Sequence, residues 1–433
     1  MEPGLSYLIT PLRNKFPHAK IISLHAEEVP VDLAAIPDSS WYPGMDISLN
    51  DFLENEIPDC LAGEILLVEW KASRQYYGKK YLYLVEASVE FIKKIDANSR
   101  TILAFGHLWV KNYFKNLDLV SNIIQYEVFS KDILVCGAGP SLENSIPAIK
   151  EKRKNLFIIA ASSSLGCLKT NGINADLVIT TDGGNWARLH LFETFRSVTF
   201  RSSHDTKLCA ALTAALPAQC RELKLLPLTD TSYWQNIILK KLGIPCLSLP
   251  QRGTVTASAL DLAFKLSRGN IFVSGMDLQN RDIRSHSRPY SFDSLLEEKE
   301  KRFNPFYSQI YKRASLIKKG SSYKIYEDWF KKQISLYPGS IYSLGENNPL
   351  FAKNKIDVTQ YKEQEEAIYS LVKISHKDYL KDKALKIIIN ELEENEQLLK
   401  RELSPLLFPN ENEEKLKLKN ADFLIKIKEA IEI

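Results

Sequence analysis

The stretch KDILVCGAGPSLENSIPAIK, residues 131–150, determines the fold that we predict for this chain. An apolar run is followed by Gly137 and Gly139, and a helical pattern comes directly after them. This order of strand, glycine turn and helix is typical of nucleotide-binding units in doubly wound α/β proteins. It departs from the dinucleotide fingerprint G-x-G-x-x-G, because Leu142 stands at the third glycine position and Pro140 follows the second glycine. The stretch therefore predicts a Rossmann-like unit that is not a dinucleotide site.

Short apolar runs alternate with helical patterns on both sides of this turn. Strands built from continuous apolar residues are typical of a largely parallel sheet that helices cover on both faces. Ligands of such sheets bind outside the carboxyl ends of the strands, where the strand order reverses. We predict strands at Ile133–Cys136, Leu156–Ala161, Leu177–Thr180, Leu223–Leu228, Cys246–Leu249 and Ile271–Ser274.

The fold class that we predict is α/β, with a small N-terminal α/β domain and a helical C-terminal region beside the central sheet. The expected boundaries are 1–110, 111–300 and 301–433. In the first domain the runs EILLVEW (64–70) and TILAF (101–105) are strand-like, and apolar residues between them have helical spacing. Residues 303–342 are rich in aromatic side chains, and the last part of the chain has helical periodicity.

Composition excludes several classes of protein. The chain has 433 residues, of which 45% are hydrophobic and 25% charged, and its net charge is +4. That charge is too small to indicate a nucleic-acid partner, and no apolar run approaches a membrane span, so we expect neither nucleic-acid binding nor membrane insertion. The six cysteines lack zinc-site spacing, and the first residues lack the pattern of a signal peptide. We therefore expect a cytoplasmic, reduced protein without a permanently bound cofactor.

The glycine turn is the first candidate site. Gly137 and Gly139 permit positive φ and close backbone approach, while Pro140 sets the start of a helix. Ser141 adds a hydroxyl near the first helical turn, where N–H groups favour an anion. Because Pro140 has no N–H, we expect the loop to hold one phosphate rather than a pyrophosphate. A tight turn followed by a capped helix is the alternative.

Two further strand ends carry small or acidic residues. Ser162 and Ser163 end one predicted strand, where small hydroxyl side chains suit contact with a sugar or a base, although they are equally typical of helix N-caps. Asp182 follows the next strand and precedes two glycines. Its carboxylate would bind a ribose hydroxyl or a metal ion, or would cap the following helix.

The third group of candidates comes from residues 252–292. Thr254 begins a predicted helix, and the strand after this helix ends at Gly275 and Asp277. His286 then lies in the polar segment RSHSR, which offers no apolar core around it. A histidine in such a loop would serve as a general base near neutral pH, or would be an ordinary surface residue.

These segments resemble the motility accessory factor family of flagellin glycosyltransferases. The resemblance rests on VCGAGPSLENSIPAI, IIAASSSLGCLKTNGINADLVITTD, GTVTASALDLAF and IFVSGMDLQNRDIRSH, in this order, and spans residues from roughly 110 to 290. It implies a central domain similar to bacterial sialyltransferases. That domain would transfer a nonulosonic sugar, such as pseudaminic or legionaminic acid, from its CMP donor to Ser or Thr of flagellin and so support flagellar assembly and motility.

Roles for the candidate residues follow from that implied reaction. Departure of CMP creates an oxocarbenium-like centre, so the leaving phosphate needs anion stabilisation from the loop N–H groups and from Arg284 or Arg288. We expect His286 to be the catalytic base and Asp277 to orient the loop or the sugar. In residues 301–433, the aromatic-rich helices would form an acceptor groove, or would be ordinary hydrophobic core. The donor itself would contact Gly137, Gly139, Pro140, Ser141, Ser162, Ser163, Asp182, Thr254 and Gly275.

Two alternatives stay open on the sequence. The same core resembles an archaeal pterin diphosphokinase, in which the glycine loop would serve ATP and Asp182 and Asp277 would hold Mg²⁺. Against this stand the missing G-x-x-x-x-G-K-[ST] motif and the absence of a lysine from the loop. The second alternative is a non-catalytic accessory protein that binds flagellin and a nucleotide sugar. A divalent metal is left undecided.

Overall fold

The computed structural model describes residues 1–28, 35–57, 64–191, 207–281, 283–319, 326–331, 334, 341–345, 367–374, 380–408 and 420–432. The chain divides into two compact units, Met1–Gly106 and His107–Ile433. Within the described residues, no helix combines the length and the apolar character needed to cross a bilayer.

The first unit is a small α/β structure. Strands β1 (Ile22–Leu24) and β2 (Ser39–Trp41) pair in parallel. Its helices are α1 (Ile9–Lys15), α2 (Leu49–Glu56), α3 (Lys71–Tyr77) and the first part of α4 (Lys79–Leu117).

Both strands that the sequence predicts in this unit are wrong. Residues 64–70 form no strand, and residues 101–105 lie within α4. A short apolar run has no periodicity of its own, so it does not distinguish a strand from a segment of a long helix. The helical spacing expected around residue 85 is confirmed.

The second unit contains a ten-stranded sheet in the order β11-β10-β4-β5-β6-β7-β8-β3-β12, with β9 pairing to β8. All its pairings are parallel except that of β3 with β12. The strands are β3 (Asn122–Tyr126), β4 (Asp132–Cys136), β5 (Leu156–Ala161), β6 (Leu177–Thr180), β7 (Lys207–Ala211), β8 (Leu225–Thr229), β9 (Leu247–Ser248), β10 (Ile271–Ser274), β11 (Ile341–Ser343) and β12 (Tyr369–Lys373).

Helices cover both faces of this sheet, as the apolar strands predict. Along β4, Leu134 and Cys136 face one core, and Ile133 and Val135 face the other, because successive side chains alternate between the faces of a strand. The helices of this unit, besides the end of α4, are α5 (Ser141–Lys152), α6 (Leu165–Thr170), α7 (Tyr233–Leu242), α8 (Val255–Leu266), α9 (Asp293–Glu297), α10 (Phe306–Lys319), α11 (Leu380–Glu394), α12 (Glu396–Leu407) and α13 (Asn420–Glu432).

The predicted α/β class with a largely parallel central sheet is confirmed, and each of the six predicted central strands overlaps an observed one. The sequence does not predict β3, β7, β11 and β12, of which β11 and β12 lie between residues 301 and 433 and join the sheet at its two ends. From β4 the chain moves through β5 and β6 towards β8, whereas β10 lies on the opposite side of β4. The strand order therefore reverses between β4 and β10.

Candidate functional site

The two loops at this reversal point are in direct backbone contact. The N–H of Gly137 donates to the carbonyl of Ser274 at 2.8 Å, and the N–H of Gly139 donates to the carbonyl of Gly275 at 2.7 Å. A Cβ atom added at Gly137 would lie 2.4 Å from the Gly275 carbonyl oxygen, and one added at Gly275 would lie 2.4 Å from that of Gly137. Both glycines are therefore required by the close approach of the two loops.

Positive φ, which the sequence suggested for the first glycine turn, occurs in the second loop instead. Gly275 has a φ of +69°, while neither Gly137 nor Gly139 has a positive φ. A Cβ atom at Gly139 would lie 2.5 Å from the carboxylate of Asp277. The structure thus brings together six of the predicted site residues: Gly137, Gly139, Pro140, Ser141, Gly275 and Asp277.

Asp277 holds the start of α5. Its Oδ2 atom accepts a hydrogen bond from the backbone N–H of Ser141 at 2.7 Å. An anionic group is stabilising at a helix N-terminus, because the first N–H groups are unpaired and carry partial positive charge. The next N–H, that of Leu142, donates to the Gly139 carbonyl at 3.1 Å. Asp277 therefore orients the glycine loop.

Glu143 connects α5 to the segment that carries His286. The Nη1 atom of Arg284 lies 3.0 and 3.1 Å from the two carboxylate oxygens of Glu143, and the backbone N–H of Arg288 donates to Oε1 at 2.8 Å. The N–H of Ser287 also donates to the carbonyl of Ala138 at 2.7 Å. The residues 284–288 are thus fixed against the glycine loop, and sequence reasoning did not single out Glu143.

The same segment approaches α6, which follows β5. A Cβ atom at Gly166 would lie 2.4 Å from the carbonyl oxygen of Pro289. Ser162 is buried and Ser163 is half-buried, and together with Ser164 they form a 3₁₀ turn between β5 and α6. No side chain caps α6. Ser162 and Ser163 therefore lie at the carboxyl end of β5, the strand beside β4.

Asp182 is exposed at the end of β6. Its Oδ1 atom accepts from the N–H of Gly184 at 2.8 Å, which closes a turn on its own backbone. The turn is supported from α4, since the Nδ2 atom of Asn112 donates to the carbonyls of Gly183 and Thr213, both at 3.1 Å. Asn112 positions the loops after β6 and β7, and sequence reasoning did not single it out.

Thr254 caps α8 rather than presenting a free hydroxyl. Its Oγ1 atom accepts from the N–H of Ala257 at 3.0 Å, which is the usual N-cap arrangement. Thr256, two residues further along, lies close to the glycine loop: a Cβ atom at Gly137 would be 3.1 Å from its Cγ2 atom. The first turn of α8 therefore borders the site, and Thr254 shapes it through the backbone.

His286 lies in an aromatic cluster, so the expectation that it has no core around it is wrong. Its ring stacks on Tyr290 with centroids 4.1 Å apart and an interplanar angle of 14°. His190 stacks on Phe292 at 4.6 Å, and Tyr290 lies 5.2 Å from Phe292. The guanidinium of Arg313, on α10, lies 5.3 Å from the rings of both Tyr290 and Phe292. We call these five residues the aromatic cluster.

The aromatic cluster holds both histidines neutral. Burial, followed by the positive charge of Arg313 and by a smaller electrostatic effect of His190, lowers the pKa of His286 to about 3. Burial and then Arg313 lower the pKa of His190 to about 4. Burial raises the pKa of Tyr290 to about 12, and the charge of Asp182 is a lesser cause in the same direction. A base works best with a pKa near the working pH, so His286 in this environment is a weak base.

The arginines differ in their partners. Arg284 pairs with Glu143, and the Nε atom of Arg288 lies 3.6 Å from Oδ2 of Asp293. Arg284 is one of the two arginines that we expected to stabilise the leaving phosphate, and its guanidinium is already paired with Glu143. Within the described part of the chain, no three His, Cys, Asp or Glu side chains are grouped as metal ligands would be.

Part of the chain is similar to a known protein family. Residues 107–282 match a protein-family model described as "6-hydroxymethylpterin diphosphokinase MptE-like". The match includes the strands from β3 to β10 and the two loops that meet between β4 and β10.

Two curated relatives are uncharacterised proteins of Treponema pallidum (strain Nichols). One is 28% identical over 262 residues, which cover 60% of this chain and 54% of the relative. The other is 27% identical over 119 residues, which cover 27% of this chain and 55% of the relative. The chain thus spans about half the length of the curated relatives it matches. Among solved structures, a Maf glycosyltransferase from Magnetospirillum magneticum AMB-1 aligns with a TM-score of 0.37 at 19% identity, covering 46% of this chain and 32% of that one.

Proposed function

We propose that the protein is a glycosyltransferase that takes a sugar from a nucleotide donor with a single phosphate, such as a CMP-nonulosonic acid. The observation that carries this proposal is how the glycine loop uses its N–H groups. Those of Gly137, Gly139 and Ser141 are donated to protein acceptors, and Pro140 has none. A loop with so few remaining donors suits one phosphate better than the triphosphate of ATP.

In the proposed reaction, the bond between the anomeric carbon and the phosphate oxygen of the donor breaks, and its electron pair leaves with CMP. The acceptor hydroxyl oxygen bonds to the anomeric carbon and gives up its proton. Because positive charge develops on the sugar ring, the site must stabilise the departing phosphate and accept that proton. We assign the first task to the side-chain hydroxyl of Ser141, since the backbone N–H groups of Ser141 and Leu142 already donate to Asp277 and Gly139, and the second to His286.

His286 performs this task only if its pKa rises in the donor complex. The positive charge of Arg313 is one cause of its low pKa. A bound anion near Arg313 would offset that charge and would raise the pKa of His286, while burial, the larger cause of the low pKa, would still act against the charged form. His286 is then a stronger base when the donor is bound than when it is not.

We propose flagellin as the acceptor, bound in part by α10 and the residues before it. Phe303, Tyr307 and Tyr311 are exposed, at 93%, 63% and 62%. Exposed aromatic side chains are typical of surfaces that bind another protein. Residues 301–433 were expected to include an acceptor-binding region, and this exposed group is where we place it.

The second candidate function is diphosphate transfer from ATP, which the name of the matched family favours. In that case Asp182 and Asp277 would hold Mg²⁺ against the phosphates, a chemistry that needs only one or two carboxylates besides the substrate oxygens. The exposed carboxylate of Asp182 suits this role. The turn closed by Asp182 and the helix start held by Asp277 favour the glycosyltransferase.

One experiment separates the two. The protein is incubated with a CMP-nonulosonate and flagellin, or with ATP and 6-hydroxymethylpterin, and the released nucleotide is measured by anion-exchange chromatography with and without EDTA. Release of CMP that persists in EDTA is the result we expect. Release of AMP from ATP that EDTA abolishes would replace the glycosyltransferase with the diphosphokinase. Binding of flagellin without release of either nucleotide would indicate a non-catalytic accessory protein.

A further inference from the structure

Arg313 lies beside aromatic rings, whereas Arg284 and Arg288 lie beside carboxylates. It lies on α10, its side chain is half-buried, and its guanidinium lies beside two aromatic rings at 5.3 Å. Its one hydrogen-bond partner among the described residues is the hydroxyl of Tyr290, at 3.4 Å. None of the carboxylates that the structure describes pairs with it, and Asp293, whose pKa the charge of Arg313 lowers in part, pairs with Arg288.

A half-buried cation without an anionic partner is costly to maintain, because burial removes water that would otherwise solvate the charge. The aromatic rings compensate only in part, since a cation over an aromatic face gains about 0.5–2 kcal/mol. The guanidinium also presents a planar fork of donors that matches the two oxygens of a carboxylate. Arg313 is therefore suited to an anionic group that arrives with a ligand.

The position of Arg313 relates it to the proposed site. Its ring partner Tyr290 is stacked on His286, and the segment before Tyr290 is fixed to the glycine loop through Ala138 and Glu143. Tyr290 also lies within electrostatic reach of Asp182, at the carboxyl end of β6. Arg313 therefore borders the edge of the sheet where a ligand of the glycine loop would extend.

We propose that Arg313 binds the carboxylate of an acidic sugar donor, so that the aromatic cluster is the subsite that selects a sugar acid over a neutral sugar. This inference rests on the proposed function and deepens it. The phosphate of the donor belongs to the glycine loop and α5, whereas the carboxylate is placed against the guanidinium on α10. Two anionic groups of one ligand would then occupy two separate places, one beside the Ser141 hydroxyl and one at the Arg313 guanidinium.

The test measures binding by calorimetry for the full chain and for Arg313→Gln, Arg313→Lys and the control Lys312→Gln. Lys312 is the exposed neighbour of Arg313 on α10, so its replacement removes the same formal charge without entering the cluster. The probes are CMP, CMP-N-acetylneuraminate and free N-acetylneuraminate. Thermal unfolding of each variant checks that the fold is kept.

We expect Arg313→Gln to lower the affinity for CMP-N-acetylneuraminate by roughly 10- to 100-fold, the usual cost of losing a hydrogen bond to a charged group. The affinity for CMP should change by less than about threefold. The affinity of Arg313→Lys for CMP-N-acetylneuraminate should lie between those of the wild type and Arg313→Gln. Lys312→Gln should bind all three probes as the wild type does. An equal loss for CMP and for CMP-N-acetylneuraminate would mean that Arg313 takes the phosphate, and would overturn the assignment. No loss for either would also overturn it.

The wild-type result separates this inference from the proposed function. If the wild type binds free N-acetylneuraminate but not CMP, and Arg313→Gln loses that binding, the acid subsite stands and the CMP-sugar transferase fails. If the wild type binds CMP, and Arg313→Gln changes the affinities for CMP and for CMP-N-acetylneuraminate equally, the transferase stands and the subsite fails. If it binds none of the three probes, both are overturned.

Discussion

The carboxylate of Asp277, at the end of one strand, accepts a hydrogen bond of 2.7 Å from the backbone N–H of Ser141, at the start of the helix that follows the neighbouring strand. This bond joins the two loops at the point where the strand order reverses. It places a negative charge at the start of α5 before any ligand arrives. An anionic ligand must therefore bind beside Asp277 and not in its place.

Asp277 should contribute measurably to stability. Removal of an acceptor at a helix start costs about 0.5–2 kcal/mol, and the charge contributes about 0.3–1 kcal/mol of interaction with the helix dipole. We expect Asp277→Ala to lower the free energy of unfolding by about 1–2 kcal/mol and Asp277→Asn by less, because Asn retains an acceptor. Urea unfolding measures both, with Asp328→Asn as the control at an exposed position. Wild-type stability of Asp277→Ala, together with lost activity, would contradict the capping role.

The close approach of the loops can be separated from backbone strain. Gly275 and Gly172 have nearly equal φ values, +69° and +71°, but a Cβ atom at Gly172 meets nothing within 4 Å. Strain from positive φ is therefore common to both, while only Gly275→Ala adds a clash with Gly137. We expect Gly275→Ala to lose about 1–3 kcal/mol more than Gly172→Ala in urea unfolding, the usual cost of overpacking. Equal losses would show that close approach is not required.

The neutral state of His286 predicts a dependence of stability on pH. Its pKa falls from 6.5 to about 3 on folding, so the unfolded chain binds a proton that the folded chain does not as pH falls below 6.5. Stability therefore decreases as the pH falls from 7 towards 3. His286→Phe keeps a ring for stacking on Tyr290. Between pH 7 and pH 5 its free energy of unfolding should fall by about 1–2 kcal/mol less than that of the wild type.

The control for this measurement is His18→Phe, at an exposed position. The free energy of unfolding is measured by urea titration at each pH for all three proteins. His190 also makes the protein less stable as the pH falls, since its pKa is lowered to about 4. An identical loss between pH 7 and pH 5 in the wild type and His286→Phe would mean that the imidazole is not held neutral by the fold.

Glu143 should act as a positioning residue for the segment 284–288. The amide of Arg288 donates to its carboxylate, so Glu143→Ala should increase hydrogen exchange at that amide by about 5- to 10-fold, equivalent to a hydrogen bond of about 1 kcal/mol. Glu143→Gln retains an acceptor and should restore most of the protection. The contact of Ser287 with Ala138 serves as the internal reference. Unchanged exchange at Arg288 in Glu143→Ala would contradict this role.

The exposed aromatic residues should affect the acceptor and not the donor. Replacement of Phe303, Tyr307 and Tyr311 by Ala should leave the affinity for CMP unchanged and should lower transfer to flagellin at least 10-fold, since aromatic side chains often dominate protein interfaces. Tyr76→Ala, at a residue that is 82% exposed, is the control. Unimpaired transfer by the triple variant would place the acceptor elsewhere.

The sequence predicts the central sheet well because its strands are buried on both faces and therefore have continuous apolar runs, as Leu156–Ala161 shows. It fails at 101–105, where an apolar run belongs to a 39-residue helix and two of its side chains, Leu103 and Phe105, are exposed. It also misses β3 and β7 within the sheet and β11 and β12 at its ends. The apolar pattern of a short stretch predicts its secondary structure only where burial of that stretch determines which residues are apolar.

For the site, the sequence identifies the residues at the strand ends but not their partners. The glycines, Ser141 and Asp277 follow predicted strands, so topology alone brings them together. The environment of His286 depends on His190 and Arg313, which lie far away in the sequence and on different elements. No local motif marks such residues. Predicted positions that the structure only locates, such as Ser162 and Ser163, remain predictions as donor contacts.

The central claim is that a sugar passes from a nucleotide donor with one phosphate to a protein acceptor. The most direct test is the intact mass of flagellin after incubation with this protein and a CMP-nonulosonate, with and without EDTA. We predict that the mass of flagellin increases by one or more sugar residues and that the increase persists in EDTA. An unchanged mass with several CMP-nonulosonates, in the presence of stable flagellin binding, would contradict it.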